Sequence, residues 1–146
     1  MKLTQLSLFL ENKPGSLTLP CKLLAKAGIN ILTLSIGDTE QFGILRLIVK
    51  EPDKAKKVLE KGGCVVKETE VVAIEVADQP GGLAGILEAL EGENVNVEYM
   101  YAFTVKQSNK GVLVFRFDHP DHAIKALKKH RFNVLGQVEL YSRLEN

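Results

Sequence analysis

Apolar residues at every second position mark two segments, one at the start of the chain and one near its middle. They are Leu6, Leu8 and Leu10 in the first segment, and Val72, Ile74 and Val76 in the second. A period of two predicts a β-strand with one buried face. A Pro-Gly turn follows each strand, and apolar residues at helical spacing come next. We expect the core-facing residues of these helices to be Leu17, Cys21 and Leu24 in the first, and Leu83, Leu87 and Leu90 in the second.

The pattern after each helix predicts a β-hairpin, a second helix and a last strand. The predicted hairpin strands are 31–36 and 43–50, matched later by 97–105 and 111–117. A Pro-Asp pair opens each second helix, as expected at a helix start. The apolar residues of these helices are Ala55, Val58 and Leu59, and then Ala123, Ile124 and Leu127. The last strands are predicted at 64–69 and 137–142.

The two halves of the chain repeat one another at an offset of 66 residues. Pro14 and Gly15 correspond to Pro80 and Gly81, and a polar loop at 106–110 accommodates two extra residues farther on. Gly28 and Asn94 are expected to end the first helices, because both residue types tolerate a left-handed backbone. The order βαββαβ occurs twice. It predicts an α+β protein of two tandem ferredoxin-like domains, 1–69 and 70–146, each an antiparallel four-stranded sheet with two helices on one face.

The side of each sheet that the helices leave uncovered is unusually apolar. Segments 43–49 and 112–117 are nearly apolar on both faces, and Val97, Tyr99, Tyr101 and Phe103 are expected to share one face. Such a surface is typical of an interface. We expect the two repeats to pack together, and further area to be buried in a homodimer.

The loop between the first strand and first helix of the second repeat has the composition of a receptor for a small zwitterion. Pro80 fixes one backbone dihedral, and Gly81 and Gly82 allow a ligand close to their amides. Those amides lie at a helix N-terminus, which favours a carboxylate. Asp78 is an anion suited to an ammonium group. Asn96 follows the helix and is expected to present its amide to the same loop.

Asp-x-Pro-Gly-x-Leu after a first strand, with Gly-Ile-Asn or Asn-Val-Asn after the helix, resembles the ACT domain. The resemblance covers both repeats. It implies domains that pair through sheets or helices, with an effector amino acid bound at the interface and contacted by this loop. It also implies a non-catalytic regulatory role, with an enzyme or regulator of amino-acid metabolism as partner.

The predicted ligand-binding residues follow the loop pattern in each repeat. They are Asp78, Gln79, Pro80, Gly81, Gly82, Leu83, Asn96 and Val97 in the second repeat, and Asn12, Lys13, Pro14, Gly15, Ser16, Leu17, Asn30 and Ile31 in the first. The first repeat departs from the pattern because Asn12 replaces the aspartate. A neutral amide is a poorer ammonium partner than a carboxylate. The first loop therefore binds more weakly, contacts the ligand through its backbone, or is purely structural.

Composition and charge exclude several other classes of function. The 146 residues carry 19 Lys+Arg and 18 Asp+Glu, so no net charge favours nucleic acid or an anionic membrane. No apolar run is long enough to span a bilayer, and the N-terminus lacks a signal-peptide cleavage site. We expect a cytoplasmic protein. Cys21 and Cys64 are expected as small buried side chains without a disulfide.

Other chemical motifs do not converge. His119, His122 and His130 lack further ligands at metal spacing and are expected to be solvated or partly capping, so neither a metal nor a cofactor is predicted. Enzyme signatures are absent, and an isomerase or hydrolase ranks last. The main alternative is a structural or protein-interaction module without a small-molecule ligand, because Pro-Gly with Asp or Asn is also ordinary turn chemistry.

Overall fold

A computed structural model describes residues 1–38, 41–104 and 109–145. The strands are β1 (Leu3–Glu11), β2 (Ile31–Asp38), β3 (Phe42–Val49), β4 (Val66–Ala77), β5 (Val97–Thr104), β6 (Lys110–Phe117) and β7 (Asn133–Leu135). The helices are α1 (Thr18–Lys26), α2 (Pro52–Lys61), α3 (Gly82–Gly92), α4 (Pro120–Lys129) and α5 (Gln137–Glu145). The predicted α+β class is confirmed. Residues 105–108, which include most of the predicted insertion loop, lie outside the described residues.

The chain forms two compact units. The first unit is Thr4–Thr69, and the second unit is Met1–Leu3 with Glu70–Asn146. Lys2 belongs to the second unit through ion pairs, with Nζ 3.3 Å from a carboxylate oxygen of Glu70 and 3.2 Å from one of Asp121. The domain boundary between residues 69 and 70 stays a prediction.

In the first unit, β3 lies between β1 and β2 and pairs antiparallel with both. The predicted alternation of β1 is confirmed, because Leu6 and Leu8 are fully buried in the core. Helix α2 contributes Ala55 and Leu59 to the same core. This core therefore forms between one face of the sheet and the two helices, as the pattern predicts.

In the second unit, β6 lies between β4 and β5, and β7 pairs with the other side of β4. Val72 and Ile74 of β4 are fully buried in the core, which confirms the predicted face. Phe115 and Phe117 on β6 stack with their ring centroids 5.1 Å apart. Helix α4 closes this core with Ala123, Ala126 and Leu127.

The buried faces of α1 and α3 differ from the predicted ones. Leu17 and Leu83 are 40% and 41% exposed, and Leu87 is 37% exposed. Pro20 and Leu24 are the buried residues of α1, and Ile86 and Leu90 are those of α3. Leu17 and Leu83 stand where each helix begins, before its first full turn can direct a side chain onto the sheet. The two helices still bury equivalent positions, because Pro20 and Leu24 correspond to Ile86 and Leu90 at the offset of 66.

The ends of α1 and α3 confirm the predicted left-handed residues. Gly28 has φ +72° and Asn94 has φ +57°. The residue after each donates its N–H back to the helix, from Ile29 to the Leu24 carbonyl (2.9 Å) and from Val95 to the Leu90 carbonyl (3.0 Å). This is the Schellman arrangement that satisfies the last carbonyls of a helix.

The start of β5 corrects another expectation. A bulge lies between Val97 and Tyr99: these residues pair with Phe117 and Arg116, so β5 contains one extra residue relative to β6. A bulge shifts the side-chain alternation by one position. Val97 consequently packs against the core, and the prediction that it shares a face with Tyr99, Tyr101 and Phe103 is wrong.

The predicted last strand at 137–142 is wrong. The strand is the shorter β7, in which Val134 and Leu135 are buried, and helix α5 follows it. Two residues that one strand face would share differ in burial, because Val138 is 81% exposed and Leu140 is fully buried. The N–H of Leu140 donates to the carbonyl of Gly136 at 2.9 Å, which closes the first turn of α5.

Helix α5 is attached to β4 through a buried carboxylate. Glu75 is 7% exposed and lies on the face of β4 opposite to Val72 and Ile74, because side chains alternate along a strand. Its oxygens accept from Arg143 Nε (2.6 Å), Asn133 Nδ2 (3.2 Å) and Lys110 Nζ (3.3 Å). The Arg143 hydrogen bond lowers the pKa of Glu75, against the opposing effect of burial. In the second unit, helix α5 thus covers part of the sheet face that the sequence predicts to be uncovered.

This carboxylate makes stability depend on pH. A carboxyl whose pKa is lowered by folding stabilises the fold above its unfolded pKa, about 4.3 for Glu, and loses that contribution as the pH falls through the folded pKa. Glu75→Gln removes this titrating group. The free energy of unfolding, measured by urea titration, is therefore expected to fall less steeply in this variant as the pH becomes acidic. Arg143→Ala is expected to lower the free energy of unfolding at neutral pH, because Glu75 loses the hydrogen bond from Arg143 Nε. Glu88→Gln, at an exposed site on α3, is the control. If the free energy of unfolding of Glu75→Gln fell as steeply at acidic pH as that of the unmodified protein, this role of Glu75 would be contradicted.

Candidate functional site

The loop after β4 forms a tight turn that begins α3. The N–H of Asp78 donates to the Asn109 carbonyl (2.8 Å), and the N–H of Gln79 donates to the Ala77 carbonyl (2.9 Å). Gly81 is the N-cap of α3 and has φ +87°, a conformation that L residues rarely adopt. Gly82 then donates to the Gln79 carbonyl at 3.1 Å. The sequence Asp-Gln-Pro-Gly-Gly is therefore folded into a fixed loop at the helix start.

The first repeat forms the same turn. Asn12 donates to the Gln41 carbonyl (2.9 Å), Lys13 donates to the Glu11 carbonyl (2.9 Å), and Ser16 donates to the Lys13 carbonyl (3.3 Å). Gly15 has φ +88°. Each of these donors stands 66 residues before its counterpart in the second repeat. The sequence repeat therefore corresponds to a repeated backbone conformation.

A cavity of about 240 Å³ lies beside the loop of the second repeat. Asp78, Gln79 and Leu83 line it from the loop and the start of α3. The remaining walls come from the ends of β4, β5 and β6, namely Val76, Ala77, Ala102, Phe103, Thr104, Gly111 and Leu113. The structure thus brings three of the predicted ligand-binding residues to one cavity. The walls from β5 and β6 are not among the predicted site residues, and Phe103 is predicted only as part of an interface.

The two loops differ in charge. Asp78 is exposed and is the ionisable residue among the described residues that line the cavity. In the first repeat the amide of Asn12 takes this position. The Lys13 ammonium lies 2.9 Å from a carboxylate oxygen of Glu11, whose hydrogen bond raises the pKa of Lys13. The ammonium group of Lys13, next to the first loop, is consequently paired with the carboxylate of Glu11.

The residues predicted after the helices do not join the loops of their own repeats. Asn96 follows the far end of α3, whose eleven residues span about 16 Å. Its N–H donates to an Asp118 carboxylate oxygen at 3.2 Å. Asn30 follows the far end of α1 in the same way, and Ile31 packs against the core as Val97 does. The expectation that Asn96 presents its amide to the Asp78 loop of its own repeat is therefore corrected.

Asn96 lines a second cavity instead. This cavity measures about 450 Å³ and lies at the C-terminal end of α3. It is bounded by Leu87, Leu90, Glu91, Asn94, Val95, Asn96, Val97 and Asp118. One oxygen of the Asp118 carboxylate, Oδ1, accepts the N–H groups of both Asn96 and His119. No sequence pattern predicts this cavity, because Asp118 reaches it from the end of β6 while the other lining residues belong to the segment 87–97.

The histidines take structural positions on the surface of the second unit. His122 Nε2 lies 2.9 Å from the Glu93 carbonyl, at the end of α3. His130 Nε2 lies 3.5 Å from a carboxylate oxygen of Glu93, which Lys129 also contacts at 2.7 Å. His119 occupies the N-cap of α4 without a side-chain capping bond, so the expected capping role is wrong for this residue. Among the described residues, no group of three or more His, Cys, Asp or Glu could hold a metal ion.

Two further findings concern the remaining predicted features. Cys21 and Cys64 are free thiols, and both are half-buried. No helix within the described part of the chain is long and apolar enough to cross a membrane.

Comparison with known proteins identifies relatives of this chain. The profile of the family described as "ACT domain pair" matches residues 1–143. The crystal structure of a protein from Bacteroides thetaiotaomicron is similar over 97% of this chain and 96% of that one, with 42% identity and a TM-score of 0.91. A search of curated protein sequences gives no match.

Structures with lower sequence identity share the fold. The regulatory subunit of aspartate kinase from Thermus thermophilus matches over 88% of this chain and 92% of its own, with 17% identity and a TM-score of 0.63. The corresponding subunit from Thermus flavus has 18% identity and a TM-score of 0.59, covering 86% and 90% of the two chains.

The loop geometry predicts opposite effects for two glycines of α3. A Cβ at Gly82 would stand 2.6 Å from the Ala77 carbonyl oxygen, whereas a Cβ at Gly85 would meet nothing within 4 Å. Gly82→Ala is expected to lower the free energy of unfolding by about 1–3 kcal/mol, because the loop must shift. Gly85→Ala is expected to raise it by up to about 1 kcal/mol through helix propensity. Urea unfolding measures both, and equal effects at the two sites would contradict the geometry.

Proposed function

The chain belongs to the ACT domain pair family, and we propose that it is a non-catalytic regulatory protein that binds a free amino acid at the loop of residues 78–83. ACT domains are regulatory modules that bind amino acids. The observation that carries the proposal is the cavity of about 240 Å³ bounded by Asp78, Gln79 and Leu83. It lies where the sequence pattern predicts the ligand.

The loop offers complementary groups for the two charges of an amino acid. The exposed carboxylate of Asp78 suits the ammonium group, since a charge-assisted hydrogen bond is stronger than a neutral one. No side chain caps α3 in the described structure. The N–H of Gly82 already donates to the Gln79 carbonyl, so the N–H groups of Leu83 and Ala84 are the first-turn donors proposed for a carboxylate, which the helix dipole also favours.

The remaining predicted residues have supporting roles in this proposal. Pro80 and Gly81 hold the turn, and Gly82 allows it to pack on the end of β4. In the first repeat, Asn12, Pro14, Gly15, Ser16 and Leu17 form an equivalent turn without the carboxylate. We expect that repeat to bind more weakly or to serve as structure.

Regulation requires that binding change the association with another molecule. The proposed partners are a second copy of the chain, in a homodimer, and an enzyme or regulator of amino-acid metabolism. The expected location is the cytoplasm. Neither nucleic acid nor membrane is a proposed partner, because the net charge is +1.

Isothermal titration calorimetry with the common amino acids tests the binding function directly. One of them is expected to give saturable heat. Asp78→Ala is expected to raise its Kd at least tenfold, or about 1.4 kcal/mol, because the ammonium loses its anionic partner. Asn12→Ala is the matched control at the equivalent position, with a smaller expected change. Absence of saturable binding, or an equal loss in both variants, would overturn the proposal.

A second candidate function is a protein-interaction module without a small-molecule ligand. In the first unit, Phe9 and Phe42 are 57% and 51% exposed and lie on one face of the β1–β3 pair. Exposed aromatic side chains are typical of interfaces. This function predicts that Phe9→Ser abolishes association with a partner protein, while no amino acid shifts the melting temperature.

A further inference from the structure

We propose that the cavity beside Asp78 selects an amino acid with an uncharged, apolar side chain. This inference rests on the proposed amino-acid binding and specifies the class of ligand. Its basis is the chemistry of the cavity walls, which belong to the second unit alone and were not part of the loop pattern.

Hydrocarbon dominates the walls of this cavity. Six of its ten lining residues carry purely hydrocarbon side chains, the largest being Leu83, Phe103 and Leu113. Leu83 is 41% exposed, and Phe103 is half-buried. Water therefore contacts part of these side chains, and an apolar ligand group that displaced it would gain about 25 cal/mol for each Å² removed from solvent. A ligand side chain of carbon and hydrogen gains most here.

The charges disfavour ligands with ionised side chains. Neither Lys, Arg nor His is among the described lining residues, whereas Asp78 is. The carboxylate of an acidic side chain would lie near Asp78 without a cation to balance it, which raises the energy of the complex. An ammonium or guanidinium side chain would lose hydration against hydrocarbon walls while Asp78 holds the α-ammonium.

Size and the polar wall residues narrow the class further. A volume of about 240 Å³ lies below the roughly 300–1,000 Å³ of sites for drug-sized ligands, so it suits a single amino acid and not a peptide or nucleotide. Gln79 and Thr104 are the uncharged polar side chains of the walls, and both are exposed. Because both are exposed, water is expected to satisfy their hydrogen bonds, so an apolar ligand need not supply a partner for them.

Valine and threonine provide an isosteric comparison, because they differ mainly in a methyl group against a hydroxyl. Calorimetry with the unmodified protein is expected to give a Kd for valine at least tenfold lower than for threonine, since the methyl group gains by leaving water for hydrocarbon walls whereas the hydroxyl must give up hydration. Leucine against asparagine is the second pair, with the same expected order. Tighter binding of threonine, asparagine or a charged amino acid would overturn this inference and leave the proposed binding function intact. Binding of no amino acid would overturn both.

A variant tests whether the walls cause this selectivity. Leu83→Arg places a cation on the cavity wall and is expected to weaken valine at least tenfold while improving aspartate or glutamate. Leu87→Arg is the matched control, because Leu87 lies one turn along α3, is similarly exposed at 37%, and does not line this cavity. Circular dichroism melting confirms that both variants fold. Unchanged valine affinity in Leu83→Arg, or an equal loss in Leu87→Arg, would contradict the assignment.

Discussion

A left-handed glycine forms the turn between the first strand and the first helix of each repeat, as the N-cap of α3 in the second repeat and three residues before α1 in the first. Gly15 and Gly81 have φ +88° and +87°, a conformation that costs other L residues about 1–2 kcal/mol. The reversal of direction after the glycine directs the helix back over the sheet, so that Leu24 and Leu90 reach the two cores. It also leaves the residues before the glycine exposed, among them Asp78. Core and candidate site therefore depend on the same turn.

The sequence predicts those parts of the fold that local patterns control. Alternation along β1 and β4, the Pro-started helices α2 and α4, and the left-handed residues Gly28 and Asn94 are each encoded within a few positions. The C-terminal segment was mispredicted because its structure depends on distant partners. Leu140 is buried and Arg143 binds Glu75, 68 residues earlier in the chain. No local pattern carries such a contact.

The candidate site likewise has a part that local sequence predicts and a part that depends on distant contacts. The loop that contains Asp78 and Gly81 was predicted from its residues, since a strand–turn–helix sequence is local. The walls from β5 and β6 were not, because they reach the loop through sheet pairing. Asn96 was placed near the loop by its position after the helix, although the length of α3 separates the two. In the proposed site, the loop motif therefore accounts for the charged groups of the ligand, and the walls from the packed sheet select its side chain.

An amino acid is proposed to bind between the Asp78 loop and the ends of β5 and β6. Titration of the 15N-labelled protein with valine, followed by two-dimensional NMR, tests this directly. Binding at this site is expected to give saturable shifts in the amide signals of Asp78, Gly81 and Leu83, together with those of Phe103 and Thr104. Saturable shifts confined to the second cavity at Asn94–Val97, or spectra that do not change with any amino acid, would contradict it.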